Sequence, residues 1–143
     1  MADDLLSPVR DEDGAPFWEY AAHGELRVQA CADCGEPRFP PRPCCPDCGS
    51  FASEWRPTSG KGRIWSYVVA HPPLLAAYAA RAPYNVVVVV ELAEAPHIRL
   101  VGNLVSGRDA PVNSVPGDRI RIGARVQAVF DGDGMPRWVL ERS

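Results

Sequence analysis

The sequence predicts a mainly β chain: a short helix, a small metal-held ribbon and then a five-stranded barrel. Three observations predict it. Two copies of a C-x-D-C-G unit occupy residues 31–35 and 45–49, with ten residues between Cys34 and Cys45. Five strand-like segments follow between residues 61 and 141, separated by turn residues at regular intervals. Fifteen prolines gather around the paired units and the loops, which excludes an all-helical fold. A length of 143 residues accommodates one ordinary domain or two small ones.

Residues 1–15 read as a flexible acidic arm, carrying Asp3, Asp4, Asp11, Glu12 and Asp13. Pro16 then opens a short helix over 17–22, because proline suits a first helical turn. Phe17, Tyr20 and Ala21 share one face at helical spacing, and Gly24 stops the helix. That aromatic face, with Trp18, either packs on the chain itself or lies on a partner. Residues 26–30 alternate apolar and polar and form a strand leading into the first cysteine unit. Residues 38–43 return from it, bent by Pro40, Pro41 and Pro43, and residues 51–56 make a third leg. Thr58-Ser59-Gly60 is a linker, and the composition changes there. The expected organisation is therefore an arm at 1–15, a helix and ribbon at 16–57, and a barrel domain at 58–143.

The paired units carry chemistry. A C-x-x-C pair lets two thiolates reach one ion while the backbone folds tightly beneath it. The glycine after each second cysteine suits a backbone position of positive φ. Cys31, Cys34, Cys45 and Cys48 together make a tetrahedral four-thiolate site, which zinc fills readily. Iron in a rubredoxin-like arrangement is the competing occupant, since soft thiolates hold it as well. Cys44 breaks the repeat if it replaces Cys45, and reads as a spare thiol. Four protein ligands leave no open position for water or substrate, so the metal is structural. A ribbon this small buries too little apolar surface to fold without it.

The second part is read strand by strand. Residues 61–70, KGRIWSYVVA, are rich in aromatic and branched side chains and end at His71-Pro72-Pro73. Residues 74–82 form either two helical turns or an ordered loop. Residues 84–92 run almost continuously apolar, as a strand buried on both faces does. Residues 98–105 make the next strand, and 107–117 a turn-rich loop. Residues 125–130 alternate, Asp131-Gly132-Asp133-Gly134 is a hairpin signal, and 137–141 close the set. Trp65 and Tyr67 are expected in the core. Five strands in about eighty residues fit a small closed barrel, with the OB-fold the leading candidate at this size.

Charge and motifs narrow the function. Residues 1–60 hold five Lys/Arg against eleven Asp/Glu, and residues 61–143 hold ten against seven. The acidic first part is a poor nucleic-acid platform, so no nucleic acid is expected as partner. The mildly basic second part suits a phosphorylated small molecule. No stretch approaches a membrane span, and no basic region precedes an apolar run at the N-terminal end, so a cytoplasmic location is expected. Of the three histidines, His23, His71 and His97, none sits in a recognised nucleophile motif. There is no G-x-S-x-G, no phosphate-cradling glycine loop and no H-E-x-x-H, so no catalytic residue is assigned. His71 is the best placed histidine, since barrel mouths bind ligands.

The ordered set of segments resembles a known family. It comprises Phe17-Trp18-Glu19, then residues 26–35, 39–49 and 60–73, the valine-rich 84–92, and Leu100-Val101-Gly102-Asn103-Leu104-Val105. This series is similar to the family catalogued as "domain of unknown function thirty-five", which joins a rubredoxin-like zinc ribbon to an OB-fold and is associated with acyl-CoA. The resemblance covers essentially everything after the acidic arm. It implies a non-catalytic accessory subunit that binds a thiolase-like enzyme, of the sterol-carrier-type thiolases and aldolases, and helps form its acyl-CoA site. A MaoC-like enoyl-CoA hydratase is the alternative partner. Lipid or steroid side-chain degradation is the expected setting, and a nucleic-acid-binding ribbon-and-barrel module is the alternative of another class. On this reading His71, Tyr78, Arg81 and Tyr84 face the acyl-CoA path, with Arg81 suited to a phosphate. Phe17, Trp18 and Tyr20 are the expected partner contact.

Overall fold

The structure, a computed structural model, describes residues 7–80 and 82–142. Helix α1 spans Ala15–Ala22, with proline in its first turn and Phe17 and Ala21 buried. Three short strands follow: β1 (Arg27–Cys31), β2 (Pro37–Arg38) and β3 (Ser53–Pro57). They form an antiparallel sheet in the order β2-β1-β3, with Gln29 facing both Arg38 and Trp55. Strand β2 is two residues long because Pro40, Pro41 and Pro43 follow it, and proline cannot donate to a ladder.

The second sheet holds β4 (Lys61–Ala70), β5 (Asn85–Leu92), β6 (Arg99–Asn103), β7 (Arg125–Phe130) and β8 (Pro136–Leu140). Its order is β6-β5-β4-β7-β8, with every neighbouring pair antiparallel. This is an OB-fold, but its seam is not closed by a continuous ladder as the sequence suggests. The edge strands meet at one parallel bridge, Leu104 with Trp138, beside a 2.8 Å bond from the Val105 amide to the Trp138 carbonyl. Strand β6 has only five residues before the chain leaves the sheet, so no longer seam can form. A bulge between Ile64 and Ser66 bends β4, which pairs with β5 along its length and with β7 only at its start. Helix α2 (Ala76–Ala79) is a single turn within the β4–β5 connection, and a 3-10 turn (Gly117–Arg119) lies in the β6–β7 connection.

Two expectations about burial are corrected. Strand β5 is not covered on both faces: Val86, Val88, Val90 and Leu92 are fully buried, while Val87, Val89 and Glu91 are half-exposed. Among the described residues no layer packs on the outer face of this sheet, so the apolar run exceeds what the core needs. Trp65 and Tyr67 are not core residues either; they are 47% and 39% exposed. Ile64 fills the core position on this strand, and strand alternation turns Trp65 to the other side.

One hydrophobic core serves both parts. Phe17, Leu26 and Val28 join Ile64, Val88 and Trp138 in a single buried cluster. The linker is tied down as well. The Thr58 hydroxyl donates to the Leu26 carbonyl at 2.8 Å, the Ser59 amide to Glu94 at 2.7 Å, and the Ala128 amide to the Gly60 carbonyl at 2.7 Å. Among the described residues no helix is long and apolar enough to cross a membrane.

Candidate functional site

The sequence repeat is also a structural repeat. The Gly35 amide donates to the Cys31 carbonyl at 3.0 Å, and the Gly49 amide to the Cys45 carbonyl at 2.9 Å. The Cys31 amide reaches the Glu36 carbonyl and the Cys45 amide the Ser50 carbonyl in the same relation. Both glycines sit at positive φ, 80° and 78°, where a side chain would be strained. Two equivalent knuckles thus present four sulfurs inward.

Cys31 Sγ lies 3.6 Å from Cys48 Sγ, and Cys34 Sγ lies 3.7 Å from Cys45 Sγ. All four ligand atoms fall within 4.8 Å of one another. Zinc–sulfur bonds of about 2.3 Å place tetrahedral sulfurs about 3.8 Å apart, so the set fits zinc. Strand β1 delivers Cys31 from the buried side, Cys45 is buried opposite, and Cys34 and Cys48 are exposed. Cys44 points elsewhere: its thiol donates to the Gly49 carbonyl at 3.4 Å, outside the cluster.

The thiols do not ionise alike. The Cys34 amide, donating to Cys31 Sγ at 3.4 Å, leads the effects that lower the Cys31 thiol to about 6. For Cys48 the Ser50 amide favours the thiolate, but the neighbouring cysteine sulfurs and desolvation outweigh it and push that thiol up to about 12. Four thiolates cannot share so small a volume without a cation between them.

The residues expected along an acyl-CoA path are partly brought together. His71 and Tyr84 lie tilted against each other with ring centroids 5.4 Å apart, and the Tyr84 hydroxyl donates to the Asn113 carbonyl at 3.2 Å. Tyr78 sits on α2, 37% exposed, near an exposed Leu75. Arg81 lies outside the described residues. On α1, Phe17 is buried, edge-on to Trp18 at 5.1 Å and tilted on Phe39 at 5.5 Å. Tyr20 faces Trp55 and lies under the Arg27 guanidinium, 4.4 Å from its ring centroid. Trp18 and Tyr20 remain half-buried.

Sequence reasoning missed an apolar surface. Trp65, Val68 and Val101 are exposed on β4 and β6, beside the half-exposed Val87 and Val89. The Arg99 guanidinium covers Trp65 at 3.9 Å while bonding Glu91 at 3.2 Å. The signal was present in the alternation around Ile64, which assigns Trp65 to the face away from the core.

Comparison with known proteins follows the same two parts. Residues 18–54 match the family described as "ChsH2, rubredoxin-like zinc ribbon domain", and residues 55–131 match "ChsH2, C-terminal OB-fold domain". The chain is 41% identical over 119 residues, 83% of its length, to the "Probable enoyl-CoA hydratase alpha subunit" of Thermomonospora curvata. It is 32% identical over 138 residues, 96% of its length, to the "3-oxo-4,17-pregnadiene-20-carboxyl-CoA hydratase alpha subunit" of Mycobacterium tuberculosis. It spans only 33% and 39% of those two proteins. It is also 35% identical, over 72% of its length and 69% of the relative's, to a "DUF35 domain-containing scaffold protein" of Methanocaldococcus jannaschii. Among solved structures it resembles a chain of the "Ltp2-ChsH2(DUF35) aldolase". The TM-score is 0.79 and the identity 36%, covering 94% of this chain and 98% of that one.

Proposed function

The chain belongs to the DUF35 family, in which a ChsH2-type zinc ribbon is joined to an OB-fold, and on that premise we propose that it is a non-catalytic accessory subunit of an enzyme acting on acyl-CoA thioesters. The partner assigned is a thiolase-like aldolase. One observation carries this reading: the similarity to a chain of the Ltp2-ChsH2(DUF35) aldolase runs over 98% of that chain, leaving almost none of it unmatched.

In this role the metal does no chemistry, because four cysteine ligands leave no position for substrate. The partner supplies the nucleophile and the acid–base groups. This chain shields the acyl-CoA path with His71, Tyr78 and Tyr84, and with Arg81. Two surfaces are assigned to docking. One is α1, where the buried Phe17 supports Trp18 and Tyr20. The other is the sheet face of Trp65, Val68 and Val101, since an exposed apolar stretch of this kind marks an interaction surface. The substrate class assigned is a steroid side-chain thioester, in keeping with the name of the Mycobacterium tuberculosis relative. A hydratase is the second reading of the partner, favoured by the names of both bacterial relatives.

The test is co-purification of the tagged chain from its native host, with mass spectrometry of whatever follows in stoichiometric amount. A thiolase-like protein is the expected result. A hydratase moves the proposal to the second reading. Nucleic acid, with no CoA-dependent enzyme, overturns both. Within a recovered complex, Trp65→Ala with Val101→Ala and Trp18→Ala with Tyr20→Ala report which surface docks.

A further inference from the structure

We infer that Arg38 is the buried counter-charge of the four-cysteine centre, a positioning residue that favours a divalent ion there through its field and not as a ligand. Among the described residues Arg38 is the one buried cation, 5% exposed. A guanidinium keeps its charge in a protein, and a buried charge left without compensation is costly.

The hydrogen bonds of Arg38 do not supply that compensation. Its Nε donates to Gln29 Oε1 at 2.9 Å and one terminal nitrogen to the Arg42 carbonyl at 3.0 Å, both neutral acceptors. The other terminal nitrogen is buried with no hydrogen-bond partner. By contrast Arg27, Arg56, Arg99 and Arg137 each hold a carboxylate. Three carboxylates of the ribbon are engaged elsewhere: Glu36 faces His97, Glu54 holds Arg56, and Asp33 receives the Ser50 hydroxyl.

The register sets the guanidinium beside the metal ligands. Arg38 on β2 faces Gln29 on β1, and Cys31 follows two residues later on the same side of that strand. Two strand residues span about 6.6 Å. Gln29 Oε1 also accepts the Arg42 amide at 2.7 Å, and the chain runs on from Arg42 to Cys45. The charge is therefore held between the strand that carries the first knuckle and the segment that leads to the second. Four thiolates around a divalent ion leave a net dianion. At such a separation inside a protein, salt screens the attraction little. The dianion offsets the buried cation, and the cation in turn stabilises the dianion.

The test uses the full chain in two metal forms. Zinc affinity is read by competition with a chelator, and the iron-substituted chain gives a ferric–ferrous midpoint potential by voltammetry. Ferrous iron makes the centre a dianion and ferric iron a monoanion, so a neighbouring cation raises the potential. Arg38→Met is expected to lower the potential and weaken zinc binding about tenfold or more. Arg38→Lys keeps the charge but not the forked hydrogen bonds, and is expected to hold both values near those of the parent. Gln29→Glu sets a carboxylate on the guanidinium and is expected to lower both values with the thermal melt preserved; it decides the matter if Arg38→Met does not fold. A loss in Arg38→Lys as large as in Arg38→Met leaves only a hydrogen-bonding clamp and overturns the proposal. Unchanged zinc affinity in Gln29→Glu overturns it too, whether or not the chain takes up iron. Neither readout involves a partner enzyme, so the accessory reading keeps its own test.

Discussion

At the scale of single residues, the four cysteines are not equivalent although the motif writes them alike. Cys31 is held at about 6 and Cys48 at about 12, so Cys48 keeps its proton far more tightly than Cys31. Metal binding must displace protons, and affinity rises with pH. Cys31 is already ionised above about 6 and must lose one further proton below it. Zinc affinity should therefore fall more steeply on acidification below about pH 6, as a competitive chelator titration at stepped pH will show. Cys31→Ser or Cys48→Ser should release about one zinc per chain and unfold the ribbon, read by metal analysis and circular dichroism. Cys44→Ser should keep its zinc, since the Cys44 thiol donates to the Cys45 and Gly49 carbonyls, outside the cluster of four. Trp65 repays attention at the same scale. It lies exposed under Arg99, a contact worth about 0.5–1 kcal/mol at such sites, so Trp65→Ala should change thermal stability little.

At the scale of elements, turns and edges carry the constraint. The β7–β8 turn presses on the helix: a Cβ at Gly134 would stand 2.9 Å from the Ala22 Cα, at φ +79°. Gly134→Ala should cost about 1–3 kcal/mol, since a side chain is strained there and has no room. A melt of the variant beside the parent measures it, and an unchanged midpoint would show that helix and turn do not press on each other. The turn itself is locked by Asp131, which accepts the Asp133 and Met135 amides and pairs with Arg137 at 3.3 Å. Arg137 in turn reaches Asn103 at 2.7 Å, so the turn, β8 and β6 are joined by one polar chain. These bonds hold the two edges together where the ladder is incomplete.

At the scale of the whole molecule, ribbon and barrel share a core instead of each having its own. Phe17, Leu26 and Val28 pack in the same cluster as the barrel valines, and His97 bonds the Pro37 carbonyl at 3.1 Å. Removing the metal should therefore loosen the barrel as well as the ribbon. Hydrogen exchange of the chelated chain should show faster exchange at β5 amides, in one cooperative step with the ribbon. Unchanged protection of β5 would mean that the barrel stands alone. The same sharing explains how a chain of this size can leave Trp65, Val68 and Val101 exposed on one sheet face: its core lies on the opposite face.

The metal site and the strand order along the chain were legible in the sequence because both are local. Cys31 and Cys34, like Cys45 and Cys48, sit within one knuckle, and a knuckle is specified by spacing and a following glycine. Strand β4 was legible for a similar reason, since Ile64, Trp65, Tyr67, Val68 and Val69 enrich residues 61–70 in aromatic and branched side chains. What the sequence could not convey was which face of a strand meets a neighbour. Val86 to Val90 read as doubly buried, yet only alternate valines are covered. Composition records how apolar a segment is, and packing partners decide whether that surface is hidden. The arginines around the cavity between the β6–β7 connection and the end of β8 are of the same kind. Arg119, Arg125 and Arg142 are scattered in sequence, and only the return of β8 beside the β6–β7 connection sets them round one cavity. Periodicity and spacing determine what each segment can become; the tertiary fold decides which segments meet, because that depends on contacts distant along the chain.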